Sequence, residues 1–265
     1  MSLQGGLPLP SRIGKQLFHR EIYMNTNTSE KMQIEIWSDI MCPFCFIGKR
    51  KFDEALAAFA HKDKIQVVWK SYRLFPDVRY SEGSDTCAVL AKVKGLSTPS
   101  MRQAMAHVTA LGRDVGIRFD FDRLKMADTF DSLRLVHFAA TRDLGSEMKE
   151  RLFQAFFEEG QNLEDHQILA QLGKEVGLDA QAAKTMLTST AYADEVENDV
   201  AQARQIGVRG IPFFVLDRQH ALSGAQSVAG FTALLQTAFD GWERQTPSLA
   251  EEAMAGESCT LDGQC

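Results

Sequence analysis

The residues of this chain whose types and spacing could do chemistry are two cysteines separated by a Pro-Phe pair, in the order Cys42-Pro43-Phe44-Cys45. Alternating apolar and polar residues at 34–37 predict a strand before them, and helical periodicity to about residue 60 predicts a helix after them. A thiol at the first turn of a helix faces unpaired backbone N–H groups and the positive end of the helix macrodipole, and both favour the thiolate. The spacing therefore predicts a redox-active pair in which Cys42 is the nucleophile and Cys45 is the more buried, resolving thiol.

Two other interpretations of this pair stay open. It could be half of a zinc site, which usually needs a second C-x-x-C or a histidine pair, or it could be two inert core thiols. The order strand, C-P-x-C, helix favours the redox interpretation over both. His107, His137 and His166 fall on separate predicted helices without metal-ligand spacing, so no metal site is predicted.

The composition, with 45% hydrophobic and 24% charged residues, is ordinary for a globular protein. The 29 basic and 35 acidic residues give a formal net charge of −6 without long runs of one sign, which argues against a nucleic-acid partner and against strong membrane attraction. No stretch approaches the roughly 20 apolar residues that span a bilayer, and residues 1–32 lack the apolar centre of a signal peptide. We therefore expect a cytoplasmic protein, with residues 1–32 either a flexible leader or foreign to the natural chain.

The predicted elements run β-α-β at the start, helices from 86 to about 206, and β-β-α at the end. A second strand is predicted at 65–75, and a strand-helix-strand unit of this length implies a parallel pair with a right-handed crossover. A buried strand after Pro212, a short strand at 221–224 and a helix at 227–240 would complete one central mixed sheet. The predicted fold class is α/β, with helices on the faces of the sheet, an all-helical insertion at 86–206 and a polar tail at 242–265.

A second part of the site is predicted where Gly210-Ile211-Pro212 opens the third strand. Proline cannot donate to a strand ladder, so it belongs at a strand start or a sheet edge. If the Ile211–Pro212 bond is cis, the loop exposes the backbone of Ile211 toward a bound chain. A trans proline at the strand start is the alternative, and trans is the more frequent isomer.

Four stretches together resemble the DsbA-like thioredoxin-fold family and, within it, the FrnE-type cytoplasmic oxidoreductases. They are Ser38-Asp39 ahead of the C-P-F-C-F-I-G run, Phe75-Pro76-Asp77 with Glu82-Gly83, Thr129-Phe130-Asp131 with Arg134-Leu135, and residues 203–212 with Ser223-Gly224-Ala225-Gln226. A C-x-x-C alone is a weak signal, whereas C-x-x-C followed at this separation by Gly-Ile-Pro, with helices between, is a strong one.

The resemblance implies a thioredoxin-like domain made of residues 33–85 and 207–241, interrupted by the helical domain 86–206. It implies that Cys42 attacks, that Cys45 resolves, and that a cis Pro212 packs against them. The residues expected to contact the substrate are Pro43, Phe44, Gly210 and Ile211. The implied activity is thiol–disulfide exchange with proteins or with small thiols, glutathione being a candidate co-substrate, and without a metal or organic cofactor.

Other activities remain open on the same fold. Kappa-type glutathione transferases and 2-hydroxychromene-2-carboxylate isomerases belong to the same superfamily, but they are expected to carry serine at the position of Cys42. The presence of both cysteines favours the redox branch, with a glutathione-dependent transferase or isomerase as the alternative. A cysteine-based zinc or partner-binding module is the non-enzymatic alternative, and the sequence leaves monomer or homodimer open.

The residue before Cys45 is Phe44, where strongly oxidising members of the family carry histidine. Without an imidazolium beside it, the Cys42 thiolate lacks one stabilising partner. We therefore expect a reduction potential nearer the thioredoxin value of about −270 mV than the DsbA value of about −120 mV.

Two further cysteines, Cys259 and Cys265, lie near the end of the polar tail. The FrnE-type resemblance suggests a second redox pair that exchanges with the first one. A mobile tail with two solvated thiols is the alternative, because few apolar residues anchor this segment.

Overall fold

A four-stranded mixed sheet is the centre of the computed structural model, which describes residues 30–79 and 81–245. The strand order is β2-β1-β3-β4. The strands are β1 (Met32–Ser38), β2 (Ile65–Ser71), β3 (Phe213–Leu216) and β4 (His220–Ser223). This confirms the predicted mixed sheet, because β1 pairs parallel with β2 and antiparallel with β3, and β3 pairs antiparallel with β4.

Nine α-helices surround this sheet within the described residues. They are α1 (Pro43–Ala57), α2 (Thr86–Lys94), α3 (Thr98–Arg113), α4 (Phe130–Ala140), α5 (Gly145–Phe157), α6 (His166–Glu175), α7 (Ala180–Leu187), α8 (Ala193–Gln205) and α9 (Val228–Gln245). Helix α1 makes the crossover between β1 and β2, and α2 to α8 follow one another between β2 and β3. None of these helices is both long enough and apolar enough to span a membrane.

Three predicted boundaries differ from the structure. The first strand begins at Met32, inside the segment assigned to a leader. The second strand ends at Ser71 and not near residue 75, because its partner strand ends at Ser38 in the same register. The closing helix continues to Gln245, past the predicted start of the tail, because the buried Trp242 extends the apolar face of α9.

Strand β1 is covered on both faces. Ile34 and Ile36 belong to the main hydrophobic core, and Trp37 belongs to a smaller cluster with Val215. The main core continues into the helical segment, where Phe46 of α1 stacks on Phe153 of α5 with ring centroids 5.0 Å apart. The sheet and the inserted helices therefore share one core.

A buried carboxylate fastens α8 to the sheet. The Asp199 side chain accepts hydrogen bonds from the Lys70 ammonium and from the Ser71 backbone N–H, both at 2.8 Å. His137 Nε2 lies 3.1 Å from the same carboxylate, and the Trp37 indole donates to the Asp199 carbonyl at 2.9 Å. Burial raises the pKa of Asp199, but its hydrogen bonds to His137, Lys70 and Ser71 outweigh burial and leave that pKa below the ordinary value.

Candidate active site

The two cysteines lie at the start of α1, as the sequence predicts. Cys42 is the N-cap residue with extended backbone angles (φ −94°, ψ 109°), and Pro43 begins the helix. The Cys45 N–H bonds back to the Cys42 carbonyl at 3.0 Å, which closes the first turn. Both cysteines are free thiols and both are buried, with 4% of Cys42 and 1% of Cys45 exposed. The structure therefore shows the reduced pair, with Cys42 slightly the more accessible of the two.

The loop before β3 lies against Cys42. The Ile211–Pro212 peptide bond is cis, and the Cys42 thiol donates a weak hydrogen bond to the Ile211 carbonyl at 3.7 Å. Tertiary folding thus brings residues 169 positions apart in sequence into contact. A carbonyl acceptor favours the neutral thiol of Cys42 over its thiolate.

Gly48 of α1 makes the close approach of this loop possible. A Cβ atom at position 48 would lie 2.9 Å from Pro212 Cγ and 3.5 Å from both Cα and Cβ of Ala225. The 2.9 Å distance to Pro212 Cγ is shorter than the normal separation of two non-bonded carbon atoms, about 3.5–4.0 Å. Any side chain at position 48 would therefore push α1 and the proline loop apart.

The negative charge of the pair favours Cys45. Burial opposes ionisation of Cys45, but the neighbouring Cys42 thiol and Ser38 hydroxyl, followed by the Asp39 backbone and the charge of Lys149, lower its pKa below the ordinary value. The hydrogen bond with Cys45 raises the pKa of Cys42 far above its ordinary value, and burial and the negative charge of Cys45 raise it further. Each sulfur therefore affects the ionisation of the other.

The predicted effect of the helix N-terminus on Cys42 is present in this reduced state but is outweighed by opposing effects. A hydrogen bond from the Cys45 backbone N–H does act to lower the pKa of Cys42, but the hydrogen bond with the Cys45 side chain, burial and the negative charge of Cys45 outweigh it. Several groups that lower a pKa surround Cys45.

Asp39 is a fully buried carboxyl group three residues before Cys42. Its Oδ2 accepts from the Leu74 N–H at 2.6 Å, and its Oδ1 accepts from the Thr129 hydroxyl at 2.8 Å and from the Met41 N–H at 3.4 Å. Burial raises the pKa of Asp39 despite these bonds. The carboxyl group does not cap α1; it joins the cysteine loop to the segment after β2 and to the start of α4.

Two residues near the sulfurs were not predicted as site residues from the sequence. The Ser38 hydroxyl faces Cys45, and Lys149 of α5 donates from Nζ to the Ser38 carbonyl at 3.2 Å. Lys149 carried a recognisable signal, because it lies four residues before the buried Phe153 on the apolar stripe of α5. A lysine within such a stripe is unusual, since lysine is almost never fully buried unless it is paired.

The residues predicted to contact substrate differ in their exposure to solvent. Phe44 is exposed to 41%, which is unusual for a large apolar side chain next to two buried thiols. Pro43 and Ile211 are half-buried, and Gly210 is exposed. An apolar ring and free loop backbone are therefore available to a partner beside Cys42.

Of the other three cysteines, the structure describes Cys87. Cys87 is half-buried, donates to the Thr98 carbonyl at 3.7 Å, and lines a surface cavity of about 790 Å³ whose lining residues do not include the dithiol. The predicted second redox pair, Cys259 and Cys265, lies outside the described residues. Within residues 30–79 and 81–245, no three histidine, cysteine or acidic side chains are grouped as a metal site.

Comparison with known proteins places this geometry in a family. A family model described as a DSBA-like thioredoxin domain matches residues 33–236. The uncharacterised protein YwbO of Bacillus subtilis is 30% identical over 187 residues, which are 70% of this chain and 86% of that protein. The crystal structure of a probable DsbA oxidoreductase from Streptomyces coelicolor is 34% identical and superposes with a TM-score of 0.73, over 88% of this chain and 97% of the other.

A more distant solved structure shares the fold. The cytosolic disulfide reductase DsbM from Pseudomonas aeruginosa, also solved with GSH, has a TM-score of 0.57 at 16% identity, over 78% of this chain and 98% of its own. With the C-P-F-C pair at the N-terminus of α1 and a proline loop against its first sulfur, this chain belongs to the family of DSBA-like thioredoxin domains, whose members are in general oxidoreductases.

Proposed function

We propose that the protein is a thiol–disulfide oxidoreductase that exchanges electrons through the Cys42–Cys45 pair. The contact that carries the proposal is the packing of the Ile211–Pro212 loop against Cys42, which leaves a reactive sulfur beside free loop backbone. An inert pair of core thiols would not need a glycine at position 48 to admit a proline ring.

The reaction begins with a proton shift inside the pair. The Cys42 thiol passes its proton to the Cys45 sulfur, to which it is hydrogen-bonded. The Cys42 thiolate attacks one sulfur of a substrate disulfide, the substrate S–S bond breaks, and the departing sulfur leaves as a thiolate. A mixed disulfide now joins Cys42 to the substrate.

The second step releases the substrate. Cys45 loses its proton to the departing thiolate and attacks the sulfur of Cys42, so that the mixed disulfide breaks, the second substrate sulfur leaves as a thiolate and the Cys42–Cys45 disulfide forms. Two electrons have passed from the two cysteines to the substrate disulfide, which becomes one thiol and one thiolate that solvent protonates. The reverse sequence oxidises a dithiol substrate, and no metal or organic cofactor takes part in either direction.

The proposed partners are protein disulfides or small thiols such as glutathione. The 41% exposed ring of Phe44 and the exposed backbone at Gly210 favour an extended peptide segment, which an apolar ring and a loop backbone can bind together. The FrnE-type branch and the cytoplasmic location belong to this proposal and rest on the sequence motifs; cell fractionation with a specific antibody tests the location.

An equilibrium titration in glutathione redox buffers tests the function. Thiols are trapped with acid, alkylated and counted by peptide mass spectrometry in the wild type, in Cys42→Ser and in Cys87→Ser as the matched control. We expect a two-electron transition on the Cys42–Cys45 peptide that Cys42→Ser abolishes and Cys87→Ser leaves unchanged. A pair that never oxidises, or that stops at a stable glutathione adduct on Cys42, would contradict the proposal and favour the glutathione-dependent transferase or isomerase.

A further inference from the structure

Lys149 is a buried lysine that the helical segment brings against the redox site. Its side chain is 1% exposed, and Nζ donates to the Ser38 carbonyl at 3.2 Å. The same ammonium lies 5.6 Å from the ring centroids of Trp69 and Phe153. Burying an ammonium group in an apolar core is costly unless negative or polar groups compensate it. The Lys149 ammonium therefore needs a further compensating group in addition to the Ser38 carbonyl and the two aromatic rings.

The negative groups that face Lys149 belong mainly to the redox site. Burial lowers the pKa of Lys149 to about 8, and the charges of Cys45, Asp39, Cys42 and Asp199 act in the opposite direction, in that order of strength. Cys45 is thus the strongest of these attractions. At neutral pH the lysine is still mainly protonated, so it presents a positive charge to the dithiol pair.

A second buried lysine shows what is particular to Lys149. Lys49 of α1 is 4% exposed and lies 6.0 Å from the centroid of the same Trp69 ring. Its ammonium, however, is paired with carboxylates, with Asp53 at 2.6 Å and with Glu150 at 3.2 Å. Burial and aromatic contact are therefore common to both lysines, and only Lys149 is directed at the dithiol loop.

We propose that Lys149 is a positioning residue of the redox site, whose ammonium group holds negative charge on the Cys42–Cys45 pair and thereby stabilises the reduced form. This inference rests on the proposed thiol–disulfide exchange and adds to it a role for the inserted helices. The disulfide form carries no charge on sulfur, so an ammonium beside the sulfurs favours the dithiol at any pH where one sulfur is ionised. The inserted helices thus set the redox equilibrium of a pair that belongs to the thioredoxin-like domain.

Replacing Lys149 by methionine tests this role, with Lys49→Met as the matched control. Methionine keeps most of the length and the apolar stem of lysine, and it removes the charge together with the hydrogen bond to the Ser38 carbonyl. We expect Lys149→Met to shift the dithiol–disulfide equilibrium with glutathione about tenfold toward the disulfide, which corresponds to about 30 mV. The pH profile of alkylation of the pair moves to higher pH, because the thiolate loses its cation. Lys49→Met leaves both readouts unchanged, and Lys149→Arg preserves most of the wild-type behaviour.

The outcomes separate this inference from the function on which it rests. If the wild type shows no two-electron transition, the proposed function fails, and the alkylation profile still decides the role of Lys149. If Lys149→Met matches the wild type in both readouts, or if Lys49→Met shifts them equally, the inference about Lys149 is overturned.

A measurement on the intact lysine covers the case in which Lys149→Met does not fold. The ¹³Cε resonance of Lys149 is titrated by NMR in the wild type and in Cys45→Ser. We expect a pKa of about 8 in the wild type and a lower value in Cys45→Ser, because the variant removes the strongest opposing charge. An unchanged pKa would show that the lysine and the sulfur do not interact, and would overturn the inference.

Discussion

Gly48→Ala is the substitution whose outcome follows most directly from the geometry of the site. The new Cβ would lie 2.9 Å from Pro212 Cγ, so helix and loop must separate by about 0.6 Å to reach a normal carbon contact of ~3.5 Å. The contacted atom belongs to a proline ring, which cannot rotate away as a flexible side chain could. Overpacking of this kind costs about 1–3 kcal/mol.

The helix itself gains from the same substitution. Alanine is favoured over glycine inside a helix by about 1 kcal/mol, so we expect a net destabilisation of about 1 kcal/mol in urea unfolding. Gly241→Ala is the matched control, because Gly241 also lies within a helix and its Cβ would have no contact closer than His220 Nε2 at 3.9 Å. That variant gains the helix propensity alone and is expected to be stabilised by about 1 kcal/mol.

The loop displacement also has a chemical consequence. If Pro212 moves, the Ile211 carbonyl withdraws from Cys42 and the sulfur becomes more accessible. We expect Gly48→Ala to be alkylated faster by a small reagent and to exchange more slowly with a disulfide-linked peptide, because the peptide needs the loop in place. If Gly48→Ala is as stable as Gly241→Ala and exchanges at the wild-type rate, the loop yields without cost and the reasoning is refuted.

Three other perturbations test single elements of the site and of its support. Phe44→His places an imidazole at an exposed position beside Cys42, and we expect a higher reduction potential in glutathione buffers; a wild-type potential above about −150 mV would contradict the expectation for phenylalanine. Asp39→Asn removes a negative charge that raises the pKa of Cys42, so the alkylation profile of Cys42 should move to lower pH, and an unchanged profile would exclude that charge as a cause. Asp199 has a folded-state pKa below its unfolded value of 3.8, so its stabilisation is complete above about pH 4 and is lost as pH falls through the folded-state pKa. Asp199→Asn should therefore unfold roughly 3 kcal/mol more easily at neutral pH and show a shallower loss of stability in acid; parallel acid profiles for variant and wild type would refute this assignment.

Much of the fold follows from local pattern. Alternation at β1, the β-branched run at β2 and the glycines between helices are local signals, and the structure has a strand or helix at each predicted element. The predicted boundaries that differ from the structure depend on contacts with residues distant in the sequence or on packing at the end of the element. Strand β2 stops where β1 stops, and α9 continues because Trp242 packs on Phe239 with ring centroids 5.4 Å apart.

The sequence by itself determined the family of this protein and the residues that are candidates for its chemistry. Two cysteines separated by Pro-Phe between a strand and a helix, with a Gly-Ile-Pro run far along the chain, are sufficient to identify a dithiol site and its family. The meaning of such motifs depends on residue type and on spacing along the chain alone.

Tertiary structure alone decided which groups surround the two sulfurs. A pKa depends on burial and on the groups within a few ångströms, and around Cys45 these come from separate parts of the chain. The Ser38 hydroxyl lies at the end of β1, and the Lys149 ammonium comes from a helix more than 100 residues further along. No local pattern around the cysteines predicts that lysine, because only the packing of α5 on α1 and on the end of β1 brings it there.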